Sequence, residues 1–391
     1  AIRIGGLSLT PILRARFWMW ISLDRSRDGF WEEKRRPFEE WRKEGEESRW
    51  KGVIERDVVR SFGNLPPHKT GARIMANSVV RAMMMVRNRI RHSRMVSRGN
   101  LMGNGGEWEN GNELLEDGGE MRQEHRRQST LDCSCIGAFD TTLDEDLCEM
   151  ALNGSGLSSD VKSDMQNKLR NVLYALAAKH PQVGYCQGMD YVVGHLLRVL
   201  QTEAIKMNEA LTPAVRSQEV GEESVVQDVV FRVMDSFFMT YNLRHMYWPE
   251  LRCLKTCCKV FEKLIKLKLP VLADHFDHHD FNVGLFALGW FQTLFLYLPS
   301  MPSATVCHIW DIWLVERSFK IFFRVGCAIL FLSQPILLNC ELEGMMTYLN
   351  TFPDATLLNP DILIPCGLGI KVTNRMLEKI EMECVQERRG I

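Results

Sequence analysis

From Phe281 to Trp310 the chain runs thirty residues without an Asp, Glu, Lys or Arg. A stretch this apolar must leave water, into a bilayer or into a protein core. Its centre, Phe281–Leu298, is 18 residues long, the lower limit for a transmembrane helix. Gln292 and Thr293 sit inside it, Pro299 and Pro302 interrupt it, and Asp311 follows at once. No Lys/Arg asymmetry around the run sets a membrane orientation. A second apolar run, Ile321–Leu338, carries Arg324 near its start and Pro335 near its end. Both are read as helices apolar on every side and buried in a large helical domain, with a membrane span as the alternative.

Periodicity extends that reading. Met165, Leu169, Val172, Leu173 and Leu176 fall on one face of a helix that Pro181 must end. After the link His180–Gly188, a second stripe follows: Met189, Val192, Val193, Leu196, Leu197 and Leu200. Residues 202–224 read as a polar loop, and 225–269 as more helix, stopped by Pro270. Strand alternation is scarce, so the expected class is all-α. Residues 9–62 look like an ordered helical opening, and 381–391 like a charged tail.

Residues 63–160 differ in character. Lys69–Arg98 holds eight Lys/Arg and no acid, and Gly99–Asp160 turns glycine-rich and acidic. Charge blocks and glycine clusters rarely build a core, which predicts a mobile, low-complexity insertion. The basic half could touch anionic lipid or nucleic acid, but a solvated, partly helical loop is the plainer reading. Over the whole chain 48 Lys+Arg balance 49 Asp+Glu, for a net charge of −1. Such a balance excludes a generally nucleic-acid-binding protein, and 46% hydrophobic residues exclude wholesale disorder. The 12 Cys show no C-x-x-C spacing and no signal peptide is read, which together predict reduced cytosolic thiols. The sequence opens on Ala1 rather than Met, as a fragment or an imperfect gene model would.

No G-x-x-x-x-G-K-[ST], H-E-x-x-H or G-x-S-x-G occurs, so the motifs for P-loop hydrolysis, zinc proteolysis and serine hydrolysis are missing. The densest ligand-type cluster is Asp274-His275-Phe276-Asp277-His278-His279-Asp280. It lies in a short polar link, where such residues commonly cap helices and form turns, so no metal is expected there.

Two other segments carry more. In Val53–Phe62, Ile54 and Val58 share an apolar helical face, while Asp57 and Arg60, three apart, share another. An arginine held beside a carboxylate, just before the break at Gly63, Pro66 and Pro67, is poised for a partner; the bland reading is a surface ion pair. In Gly184–Val193, Gln187 stands between two glycines at a helix mouth, where the backbone can approach a partner closely. Open N–H groups at such a mouth suit a phosphate; the bland reading makes Gln187 a capping residue.

Together the two segments resemble the signature motifs of the TBC domain, the catalytic module of Rab GTPase-activating proteins. Ile54, Asp57 and Arg60 fill I-x-x-D-x-x-R, and Tyr185, Gln187, Gly188 and Met189 fill Y-x-Q-G-M. Pro11–Arg14 with Trp18 is similar to the family's opening helix, and Leu169–Leu173 to the helix before its glutamine. Trp290–Phe295 resembles W-F-x-x-L-F, and Ile309–Asp311 resembles I-W-D. These six matches, in the family's order, cover roughly residues 9–62 and 161–380.

The resemblance implies a multi-helix TBC domain interrupted by the 63–160 insertion. It implies a catalytic arginine at Arg60 and a catalytic glutamine at Gln187, with Asp57 and Tyr185 positioning them and Ile54, Gly188 and Met189 shaping the supporting helices. The partner would be a Rab-type small GTPase in its GTP-bound state. GTP and Mg²⁺ belong to that GTPase, so no cofactor of the chain's own is expected. A cytoplasmic location follows, peripheral on endomembranes at most, with a role in vesicle trafficking. Ser61 stands where the family often has Thr. The insertion departs further, because the family needs only a short connection there. It could loop out at small entropic cost, cover the site as a regulatory flap, or be translated intron. The alternative function is a TBC-like scaffold that binds a Rab without accelerating hydrolysis.

Overall fold

A computed structural model describes residues 9–23, 36–61, 159–209, 222–298, 300–352 and 355–389. The described residues fall in one compact unit drawn from residues 1–67 and 137–391. They form fourteen α-helices and three short 3₁₀ turns, with no strand among them. The helices are α1 (Pro11–Ser22), α2 (Phe38–Glu46), α3 (Lys51–Ser61), α4 (Ser159–Lys179), α5 (Met189–Glu209), α6 (Glu222–Met239) and α7 (Arg252–Lys268). After them come α8 (Pro270–His278), α9 (Gly284–Gln292), α10 (Ser303–Glu316), α11 (Lys320–Leu337), α12 (Leu342–Thr351), α13 (Pro360–Gly369) and α14 (Asn374–Arg389). The all-α expectation holds. The 63–160 insertion lies outside the described residues apart from Ser159 and Asp160, which open α4.

Local chemistry sets the helix starts. The Thr10 hydroxyl accepts from the Leu13 N–H, Asn359 caps α13 by accepting from the Asp361 N–H at 2.9 Å, and Pro11, Pro270 and Pro360 occupy first-turn positions where no N–H is needed. Apolar stripes then fix the packing. All six predicted α5 residues and four of the five on α4 are fully buried, with Met165 at 8% exposure. α4 packs against α2, α3, α5 and α6, while α1 lies on α5, α6 and α10.

Both apolar runs sit in this core. The first is α9, a turn through Leu294 and Phe295, and the start of α10. The second is α11, long and apolar enough to cross a membrane by length and composition, yet 67% buried within the domain. The histidine rings of the His/Asp cluster touch one another, His275 and His279 with centroids 4.5 Å apart, and several cluster residues have partners outside it. The His275 Nε2 lies 3.0 Å from the Cys340 carbonyl, Asp277 pairs with Lys266 at 3.0 Å, and His279 meets Glu341 at 3.2 Å. Among the described residues no group of three or more His, Cys, Asp or Glu is arranged to hold a metal ion.

Two boundaries move. α5 continues through Glu209, past the loop expected from residue 202. Ala204 is buried there, and so is Glu203, which pairs with Arg16 at 2.7 Å and Lys206 at 3.2 Å. The tail expected at 381–391 is helical to Arg389. Its Cys384 is buried beside Ile380, and Lys263 of α7 pairs with Glu383 and Glu387 at 3.4 and 2.7 Å.

At the centre, Trp18 stacks on Trp310 with centroids 5.3 Å apart, and His195 meets Trp310 edge-on at 4.9 Å. Burial, aided by Arg198 and Arg14, pushes the His195 imidazole down to about 3. The folded protein therefore keeps it neutral while the unfolded chain protonates near 6.5, so its contribution is complete above that pH and is lost as pH falls toward 3. At about 1.4 kcal/mol per unit, the loss at pH 5 is roughly 2 kcal/mol. Denaturant midpoints between pH 7 and 5 should fall more steeply for the native sequence than for His195→Phe; equal slopes would remove His195 as the cause.

Candidate functional site

Helix α3 and the link Val183–Asp190 come from opposite sides of the undescribed stretch, yet they run side by side and touch along the length of α3. Just before α3, Trp50 covers Gly184, where an added Cβ would collide with the indole. In its middle, the buried Asp57 carboxylate accepts from the Tyr185 hydroxyl at 2.6 Å. At its end, the Ser61 hydroxyl donates to Asp190 at 2.9 Å. Ile54 and Val58 anchor the other face of α3 in the core at 0% exposure.

The buried side of this seam is acidic. Asp57 and Asp190 are 3% and 6% exposed and both lie near Tyr185. Burial raises the Asp190 carboxyl above the usual range, opposed by the Gly188 N–H, Ser61 and Arg60. Burial also pushes the Tyr185 phenol well above its ordinary value, so it stays a protonated donor. The Arg60 guanidinium pairs with Asp57 and supplies the positive charge that two buried carboxylates need. Its side chain remains 25% exposed. Gln187 is half-buried. Sequence reading grouped Arg60, Asp57, Tyr185 and Gln187, and the structure brings these segments together.

The glutamine segment is shaped by two left-handed glycines, Gly184 at φ +62° and Gly188 at φ +103°. Gly184→Ala combines a disfavoured φ with a collision against Trp50, and is expected to cost at least about 2 kcal/mol. Adding Trp50→Ala should return part of the lost thermal stability; purely additive losses would refute the contact.

The helix mouth differs from expectation. The Gly188 N–H donates to the Asp190 carboxylate at 2.9 Å, the Cys186 N–H to the Met189 sulfur at 3.3 Å, and the Met189 N–H to the Cys186 carbonyl at 3.1 Å. The segment's own residues thus take these three N–H groups, and the Asp190 carboxylate reaches back to Gly188.

Sequence reading missed Asp190 and the role of Gln292. Gln292 is 4% exposed, and its amide donates to the Gln187 carbonyl at 2.9 Å and lies 3.4 Å from the Cys186 sulfur. The available signal was a polar residue inside an apolar run, which indicates a buried partner without saying which.

Two other motif segments clasp each other. Arg14 approaches Asp311 through Nε at 3.1 and 3.3 Å, and the Trp18 indole N–H donates to Asp311 at 2.7 Å. This joins the opening helix to the Ile309–Asp311 segment and fixes α1, which packs on α5, against α10.

An all-helical domain carrying an arginine helix and a glutamine link on one seam is the arrangement expected of a GTPase-activating module. The Rab-GTPase-TBC domain family matches residues 114–338, and the chain belongs to that family. The match contains Gln187 and begins C-terminal to Arg60. The human Ecotropic viral integration site 5 protein homolog is 31% identical over 219 residues, covering 56% of this chain and 24% of that protein. The Rab GTPase-activating protein eat-17 of Caenorhabditis elegans is 28% identical over 224 residues, covering 57% of this chain and 22% of that protein. The chain thus spans about a quarter of the length of these relatives. The crystal structure of the Chlamydomonas flagellar RabGAP TBC domain superposes with a TM-score of 0.51 at 18% identity, over 92% of this chain and 80% of that one, a likeness of fold.

Proposed function

We propose that this chain accelerates GTP hydrolysis on a GTP-bound Rab-type small GTPase by supplying two side chains in trans. The observation that carries this reading is the seam itself: a buried tie from Asp57 to Tyr185 and a half-buried one from Ser61 to Asp190 hold two segments together while Arg60 and Gln187 keep access to the surface. Hydrolysis needs an in-line water and neutralisation of the charge that builds on the phosphate oxygens. The Arg60 guanidinium suits the second task, being permanently charged and forked to match those oxygens. A glutamine amide suits the first, since it can accept from the water while donating to a phosphate oxygen. In this reading Asp57 and Tyr185 orient Arg60, and Ile54, Gly188 and Met189 hold the frame. Nucleotide and Mg²⁺ arrive with the GTPase, so the chain needs no cofactor of its own. Its work would be in the cytoplasm, in vesicle trafficking, with peripheral membrane contact.

The test is single-turnover hydrolysis by the responsive Rab. Gln187→Ala should lower the stimulated rate by at least about tenfold with the melting temperature unchanged. Full activity would remove Gln187 from the mechanism. The Asp57–Arg60 pair favours a second reading, in which Arg60 stays bound to its own carboxylate and the chain binds a Rab without accelerating it. Tight binding without acceleration would select that scaffold.

A further inference from the structure

We infer that Gln292 is a positioning residue that fixes the backbone of the glutamine segment, so that Gln187 is aimed from beneath by a side chain over a hundred positions away. The inference deepens the proposed mechanism and rests on it for its catalytic arm.

Gln292 ends α9, and the two residues after Thr293, Leu294 and Phe295, both take left-handed conformations at φ 53° and 72°. Its backbone is held from several directions. The Gln292 carbonyl accepts from the buried Tyr247 hydroxyl at 2.8 Å, and the Phe295 N–H returns to the Trp290 carbonyl at 2.7 Å. The next residue, Thr293, donates through its hydroxyl to the Gly289 carbonyl and accepts from the Tyr297 N–H, both at 2.8 Å. With its main chain fixed on both sides, the side chain has one place to go, and it lies against the glutamine link. An added Cβ at Gly188 would be 3.2 Å from the Gln292 Cγ, so the methylene stem supports Gly188 as the amide holds the Gln187 carbonyl. Anchoring Gln187 by its carbonyl, and not by its side chain, leaves the catalytic amide available while restricting the φ and ψ that aim it. A buried amide donor of this kind is costly to leave unmade, which makes the bond to Gln187 obligatory in the folded state.

The experiment has two arms, both on the full chain. Amide hydrogen exchange compares the native sequence with Gln292→Leu, whose apolar side chain cannot donate to the Gln187 carbonyl. Peptides covering 184–190 should exchange at least about tenfold faster, with peptides from α10 unchanged. Unchanged exchange in 184–190 overturns the inference, and so does a uniform rise across the domain. If Gln292→Leu does not fold, Gln292→Met keeps the length, lacks the donor and gives the same reading.

The second arm is stimulated hydrolysis. Gln292→Leu should lower kcat at least about tenfold with KM for the GTPase nearly unchanged, and should add no further loss in a Gln187→Ala background. Independent, multiplying losses would show that Gln292 acts on general stability. Should the native chain stimulate no GTPase at all, the proposed function falls, while the exchange arm still decides whether Gln292 holds the segment.

Discussion

Arg60→Ala is expected to remove about 10³–10⁵ of the stimulated GTP hydrolysis rate, the contribution of an arginine finger in Ras-type GTPases. At about 1.4 kcal/mol per decade this is roughly 4–7 kcal/mol of transition-state stabilisation. The size follows from what a guanidinium in that role would do: meet the charge that builds on the phosphate oxygens in the transition state as the bond to the GDP leaving group breaks. Arg60→Lys should recover little, because an ammonium keeps the charge and loses the planar fork. The fold should tolerate either change less easily than a surface substitution, since Arg60 also offsets the buried Asp57 and Asp190. Circular dichroism and melting must therefore accompany the rates. A folded Arg60→Ala variant with native activity would place the catalytic charge elsewhere.

The second large effect concerns the frame. Asp311→Ala leaves the Arg14 guanidinium, 3% exposed, without its carboxylate, and the Trp18 indole N–H without its acceptor. Breaking a buried pair by removing one partner costs about 3–5 kcal/mol, much of the 5–15 kcal/mol that usually holds a domain folded. Burial lifts the Asp311 carboxyl above the usual range, opposed by Arg14 and the Trp18 N–H beside it. Asp311→Asn, which keeps an acceptor for Trp18 and loses the charge, should fall between the two. Denaturant midpoints measure both; an Asp311→Ala loss within 1 kcal/mol would mean that water reaches Arg14.

How legible all this was depended on the kind of signal. Helices that bury one stripe announced themselves, as Met189 to Leu200 did, because period and burial are the same fact. The end of α5 was missed because Glu203 and Lys206 read as loop polarity, although Glu203 is buried and paid for by Arg16. The charged face of α14 hid Ile380 and Cys384 in the same way. Within the site, the two motif segments could be paired because their resemblance to a family supplied the pairing. Asp190 and Gln292 could not be placed, since a hydrogen bond between residues 105 or 129 positions apart leaves no local pattern in either segment. The Gly188 N–H bond to Asp190, two residues on, is by contrast a local contact inside the glutamine segment.

The seam is proposed to work on a GTPase. Its most direct test is single-turnover hydrolysis by a panel of GTP-loaded Rab proteins, with and without the full chain and beside its Arg60→Ala variant. Acceleration of one or a few Rabs that disappears in the variant is the predicted result. A folded chain that accelerates none of them, or accelerates them equally without Arg60, would contradict it.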